Sequence, residues 1–175
     1  MAAKRKGGPA RIRGYEPRDL EACRALWVEL TAWHRDLYGA PEIGGSDPGR
    51  QFDDHLERVG PEHLWIAEVG DRVVGLTGLI PGDTLDELEP LVVKETHRGR
   101  GVGTQLTRVV IQASKERGAR YLRVRPTARN ALALAFFHGR GFEVLGQIEL
   151  LHDFGPKDRR TWREGETLTD LAFQV

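Results

Sequence analysis

The sequence predicts a single α/β domain of the α+β type, in which a mixed sheet carries helices on both faces. Three observations predict it. A length of 175 residues, 39% apolar and 30% charged, matches one water-soluble domain large enough to bury its own core. Short β-branched runs at Leu64–Val69, Val73–Leu79, Asp86–Val93 and Tyr121–Arg125 are separated by segments with apolar residues at helical spacing. The order of these elements, with a hairpin followed by strand, helix, strand and helix, lays strands side by side under covering helices.

Each element follows from local chemistry. Met1–Ala10, with Lys4, Arg5 and Lys6 ahead of Gly7, Gly8 and Pro9, reads as a basic tail outside a domain spanning residues 11–175. Arg11–Tyr15 makes a short strand, after which Pro17, Asp19 and Glu21 supply the rigid, acidic first turn of a helix. Leu20, Cys23, Leu26 or Trp27, and Leu30 keep helical spacing. The pattern loosens through Trp33 and Leu37 before Gly39, which predicts one break in that helix. Gly39–Gly49 has the composition of a mobile loop, and Phe52, Leu56 and Val59 mark a short helix ending at Gly60.

The first two β-branched runs are joined at Gly70-Asp71 as a hairpin. The third leads through Lys94–Gly103 into a long amphipathic helix whose inward face is Leu106, Val109, Val110 and Ala113, with Gly118 as its stop. Pro126 closes the fourth strand, and Asn130 caps a shorter helix carrying Ala133, Phe136 and Phe137. Phe142–Phe154 reads as extended, Gly155–Gly165 as a loop, and Leu171, Phe173 and Val175 alternate as a half-buried last strand does.

A formal net charge of zero lacks the field that gathers nucleic acid. No apolar run approaches the roughly 18 residues of a membrane span. Cys23 is the only cysteine, so no intrachain disulfide forms and a cytoplasmic setting is expected. The histidines show no paired metal spacing, so no metal is expected. The sequence leaves room for a homodimer.

The most informative segment is Arg98-Gly99-Arg100-Gly101-Val102-Gly103, continued by Thr104, between a predicted strand and a predicted helix. Glycines there let the backbone turn tightly and bring N–H groups to a ligand, and the helix start adds unpaired donors with partial positive charge. Arg98 and Arg100 add forked donors suited to phosphate oxygens. A nucleoside-triphosphate loop would require Gly-Lys followed by Ser or Thr, and Thr104-Gln105 follows instead. A dinucleotide fingerprint would require a third glycine where Thr104 stands, and an acid where the next strand ends in Arg125.

The remaining pattern, Arg-x-x-Gly-x-Gly at Arg98, Gly101 and Gly103, resembles that of the GCN5-related N-acetyltransferase family. A second segment with Asn130, Ala133, Phe136, Phe137, Gly141 and Phe142 resembles the family's other motif. The resemblance implies a single-domain acyl-CoA N-acyltransferase fold, its mostly antiparallel sheet splayed at the centre. It also implies acetyl-CoA as co-substrate, with the diphosphate on the Arg98–Thr104 loop and the pantetheine arm against Leu91, Val92, Val93 and the Asn130 helix. The acceptor would be a primary amine of a small molecule or peptide.

Such a transfer requires a base, because an amine with a lysine-like pKa of about 10.4 is protonated at neutral pH. Glu87 and Glu89 lie two apart on one strand and face one way. The resemblance supports either as the base, and Asp83 and Asp86 nearby suggest a site that attracts cations. Leu91 is the candidate N–H donor to the carbonyl oxygen of the thioester. Pro90 beside it fits a strand that leaves its ladder. Phe137 stands where many members of the family carry a tyrosine that protonates the departing thiolate, which opens a second reading: a catalytically silent acyl-CoA-binding or sensing module.

Overall fold

A computed structural model describes residues 9–156, 162, 164–168 and 171–174. The chain runs β1 (Arg11–Gly14), α1 (Leu20–Tyr38), α2 (Gln51–Val59), β2 (Leu64–Val69), β3 (Arg72–Ile80), β4 (Leu85–Val93), α3 (Val102–Glu116), β5 (Tyr121–Arg123), α4 (Ala131–His138), β6 (Glu164–Leu168) and β7 (Leu171–Gln174). The main sheet has the order β1-β2-β3-β4-β5. Its first four strands pair antiparallel, and β5 joins β4 in parallel.

The sheet is covered on both faces, as expected. One side packs Ile66, Leu76 and Val92 against Cys23 and Leu26 of α1 and Phe52 of α2. The other packs Ala67, Val74, Leu79 and Leu88 against Val102, Leu106 and Val110 of α3 and Phe137 of α4. Burial on two faces explains why β3 is apolar almost without alternation.

Three differences from the sequence expectation have physical reasons. α1 is unbroken to Gly39, which caps it at φ 63; no Gly or Pro lies within Leu20–Tyr38, so the looser spacing marks a half-buried end rather than a break. The Gly39–Gly49 loop is tethered, because Arg35 donates to the carbonyls of Ile43 at 2.8 Å and Gly45 at 2.7 Å. Residues 143–154 join no ladder and leave Val144, Leu145, Ile148, Leu150, Leu151 and Phe154 exposed. β7 pairs with β6 in a separate two-stranded sheet. Residues 1–8 of the tail, most of the 155–165 loop and Val175 lie outside the described residues.

Candidate functional site

β4 and β5 pair only from Leu85–Glu87 to Tyr121–Arg123. Beyond that, β4 continues to Val93 with β3 as its partner. The register decides which main-chain groups face the side that β5 has left. Lys94 N–H donates to Val74 O at 2.9 Å, so alternation makes Leu76–Val92 a hydrogen-bonded pair and Thr77–Leu91 and Gly75–Val93 the open pairs. The N–H and C=O groups of Leu91 and Val93 therefore point into the opening, whereas those of Val92 turn to β3.

The β3–β4 ladder is irregular beside this parting. Register shifts between Thr77 and Leu79, and the Glu89–Pro90 peptide there is cis. The Pro90 carbonyl accepts the Thr77 hydroxyl at 2.9 Å. A Cβ on Gly78 would stand 2.5 Å from Glu89 O, so only glycine admits the neighbouring backbone.

α3 begins beside that opening. Its N-cap, Gly101, takes φ 80, and no side chain caps the helix. The N–H groups of Val102, Gly103 and Thr104 thus have no intrahelical acceptor, and among the described residues nothing but the adjoining chain lies within 4 Å of the Cβ positions of Gly99 and Gly101. Arg98 and Arg100 are exposed at the rim, with Arg98 Nε anchored on Val93 O at 3.0 Å. An open helix mouth with flanking guanidiniums suits a diphosphate. The anchor to Val93 makes this mouth continuous with the β4 opening.

α4 closes the other side. Asn130 Oδ1 accepts from Ala133 N–H at 2.9 Å, the cap expected of it. Phe136 lies against Gly103. Phe137 is 9% exposed and sits edge-on to Phe136 and Phe142, in the core rather than at the opening. Arg140 was not singled out from the sequence, yet its guanidinium lies 3.4 Å from the Phe136 ring centroid and donates to Thr104 Oγ1 at 2.6 Å. It is a third arginine at the mouth.

The acids separate in role. Asp86 is fully buried toward α3, accepting from Gly82 N–H at 2.9 Å with Arg117 at 3.4 Å. Glu87 is 4% exposed and held by Arg123 at 2.7 Å and Arg125 at 2.5 Å. The side chain of Glu89 is 37% exposed, with Arg58 of α2 at 3.6 Å and Arg125 at 3.8 Å. The acids of β4 therefore do not make the simple cation-attracting surface that their number suggested. A sequence signal for this existed: Arg123, at the end of β5, and Arg125, two residues on, have the same spacing as Glu87 and Glu89 on β4, the pattern of cross-strand ion pairs.

α2 reaches this acid because Phe52 is buried against Cys23 and Leu26 of α1, and Arg24 of α1 grips Asp53 through Nε at 2.8 Å and a terminal nitrogen at 2.6 Å. Next on α2, His55 is 3% exposed, packs 5.1 Å from the Trp27 ring and lies near the Glu89 main chain. Arg58 donates to its Nδ1 at 3.1 Å, which fixes a neutral ring with the proton on Nε2.

Burial first, and the Arg58 charge second, push His55 down from 6.5 to about 4. Between those values the unfolded chain binds more protons than the folded one, so stability is full above pH 6.5 and falls as pH drops toward 4. The expected loss is at most about 3 kcal/mol. Urea midpoints at pH 7 and pH 5 should show it, and His55→Phe should flatten the difference.

The chain matches the model of the acetyltransferase (GNAT) family over residues 27–142. It is 32% identical over 90 residues to N-acetyltransferase 8B of Rattus norvegicus, covering 48% of this chain and 40% of the relative. It is 33% identical over 130 residues to N-acetyltransferase 8B of Homo sapiens, covering 70% of this chain and 56% of the relative. The match thus spans about half or less of the first relative's length and little more of the second's. Among solved structures, a GNAT-family acetyltransferase of Staphylococcus aureus superposes with TM-score 0.67 at 18% identity over 85% of this chain and 93% of its own. The aminoglycoside N-acetyltransferase AAC(6')-Iy, in complex with CoA, superposes with TM-score 0.63 at 18% identity over 88% of this chain and all of its own. With the parted strands, the open mouth of α3 and a family model covering most of the sequence, the chain belongs to the GNAT acetyltransferase family.

Proposed function

We propose that the protein transfers the acetyl group of acetyl-CoA to a primary amine by direct attack in a ternary complex. The observation that carries this reading is the uncapped, glycine-lined mouth of α3 running on into the opening at Leu91 and Val93. The diphosphate would lie on the N–H groups of Gly99–Thr104 between Arg98, Arg100 and Arg140. The pantetheine arm would add to β4 through Leu91 and Val93, passing Asn130, Ala133 and Phe136.

Glu89 is the proposed base, since it faces solvent at the opening while Glu87 is fully engaged by two guanidiniums. It takes one proton from the acceptor ammonium. The freed amine attacks the thioester carbon, and the Leu91 N–H donates to the oxygen that becomes negative. Collapse of that intermediate breaks the carbon–sulfur bond, and the second nitrogen proton passes to the departing thiolate, which leaves the neutral amide and the CoA thiol. A thiol of pKa about 8.5 can leave as thiolate without the tyrosine that Phe137 replaces.

Phe137 supports one competing reading, a module that binds acyl-CoA without turnover. Incubating pure protein with acetyl-CoA and a panel of amines tests both. Thiol release above the amine-free blank is the expected result; binding without release would favour the sensor, and absence of binding at millimolar ligand would defeat both.

A further inference from the structure

Two guanidiniums bracket Glu89, and neither completes a bond with it. The Arg58 contact at 3.6 Å and the Arg125 contact at 3.8 Å exceed the roughly 2.7–2.9 Å of a charge-assisted hydrogen bond. Both side chains are mostly outward, 62% and 64% exposed. An exposed arginine is ordinarily just solvated, but these two are oriented from beneath by buried partners. Arg58 rests on His55, and Arg125 donates through Nε to Glu87 at 2.5 Å, which Arg123 also holds. Glu149 acts on Arg125 through its charge, without a bond between them. Each mostly exposed fork therefore keeps nitrogens without a hydrogen-bond partner among the described residues.

An acceptor carrying only positive charge would meet two like charges at the base. An acceptor carrying an amine and, a few bonds away, a carboxylate satisfies all three groups: the carboxylate enters the arginine forks and the ammonium lies on Glu89. Resting on the proposed transfer at Glu89, we propose that the acceptor is an amino acid-like molecule whose free carboxylate is held between Arg58 and Arg125. Glu87 and His55 are then positioning residues for that clamp.

The test offers the unaltered chain acetyl-CoA with L-phenylalanine, L-leucine or L-lysine. Each is set against its amide and its decarboxylated amine (phenethylamine, isoamylamine, cadaverine), and CoA release is followed. Each acid should exceed its two neutral-ended counterparts by about ten-fold or more in kcat/KM, mainly through KM. Arg58→Ala and Arg125→Ala should each shrink that ratio toward one, and Arg58→Lys should retain part of it. Equal rates, or a preference for the amide or amine, would overturn the clamp while leaving the transferase reading intact. Equal losses on acids and amines in the arginine variants would also overturn it. Silence with every amine, in a protein that still binds acetyl-CoA, would instead remove the transferase reading and the clamp together. The comparison on the unaltered chain stands even if an arginine variant fails to fold.

Discussion

Glu89→Gln should lower kcat at pH 7 by about 10²–10³ while leaving acetyl-CoA binding unchanged, because it removes general-base catalysis and nothing at the α3 mouth. The glutamine is nearly isosteric and its side chain remains at a partly exposed position. The lost rate should return in part as pH rises, since the acceptor ammonium, held above the roughly 8 of a peptide N-terminus by its own carboxylate, then sheds its proton to water. Glu87→Gln gives the contrast. It leaves Arg123 and Arg125 without the buried carboxylate that binds both, so its main effect should be lower thermal stability, with kcat falling less than about ten-fold. If the two variants exchange these behaviours in rate and melting measurements, the base is Glu87.

Gly101→Val should weaken acetyl-CoA binding by about 100-fold or more in a calorimetric titration. The residue caps α3 at φ 80, where a β-branched side chain is strained by roughly 1–3 kcal/mol. The chain relieves that strain by moving the N–H groups that face the diphosphate. Val102 and Leu106 of α3 stay packed on Ala67 and Val74, so the melting temperature should drop by only a few degrees. A large fall in stability with binding preserved would mean that the glycine serves the fold alone.

What was legible in the sequence was local. The Arg98–Gly103 loop could be read because its glycines and the helix start act through neighbouring backbone. The stops at Gly39, Gly60 and Gly118 follow the same logic, and in the structure each takes a positive φ. What could not be read depends on elements meeting from afar. Arg58 and His55 come under Glu89 because α2 docks on α1 through buried Phe52, with the Arg24–Asp53 pair beside it. Arg125 reaches Glu87 through the parallel register of β4 with β5. Arg140 arrives at Thr104 because α4 folds its end over the mouth of α3. Phe142–Phe154 could be read as extended, but its own residues could not supply a partner strand for it.

One diphosphate-bearing thioester should lie across the α3 mouth and the edge of β4 that β5 has left. Backbone amide spectra recorded during a titration with acetyl-CoA test it most directly. The largest shifts should fall on Gly99, Gly101, Val102, Gly103, Thr104 and Leu91, with ADP reproducing those of the loop but not that of Leu91. Shifts centred away from residues 91–104, or a loop unmoved at saturating acetyl-CoA, would contradict it.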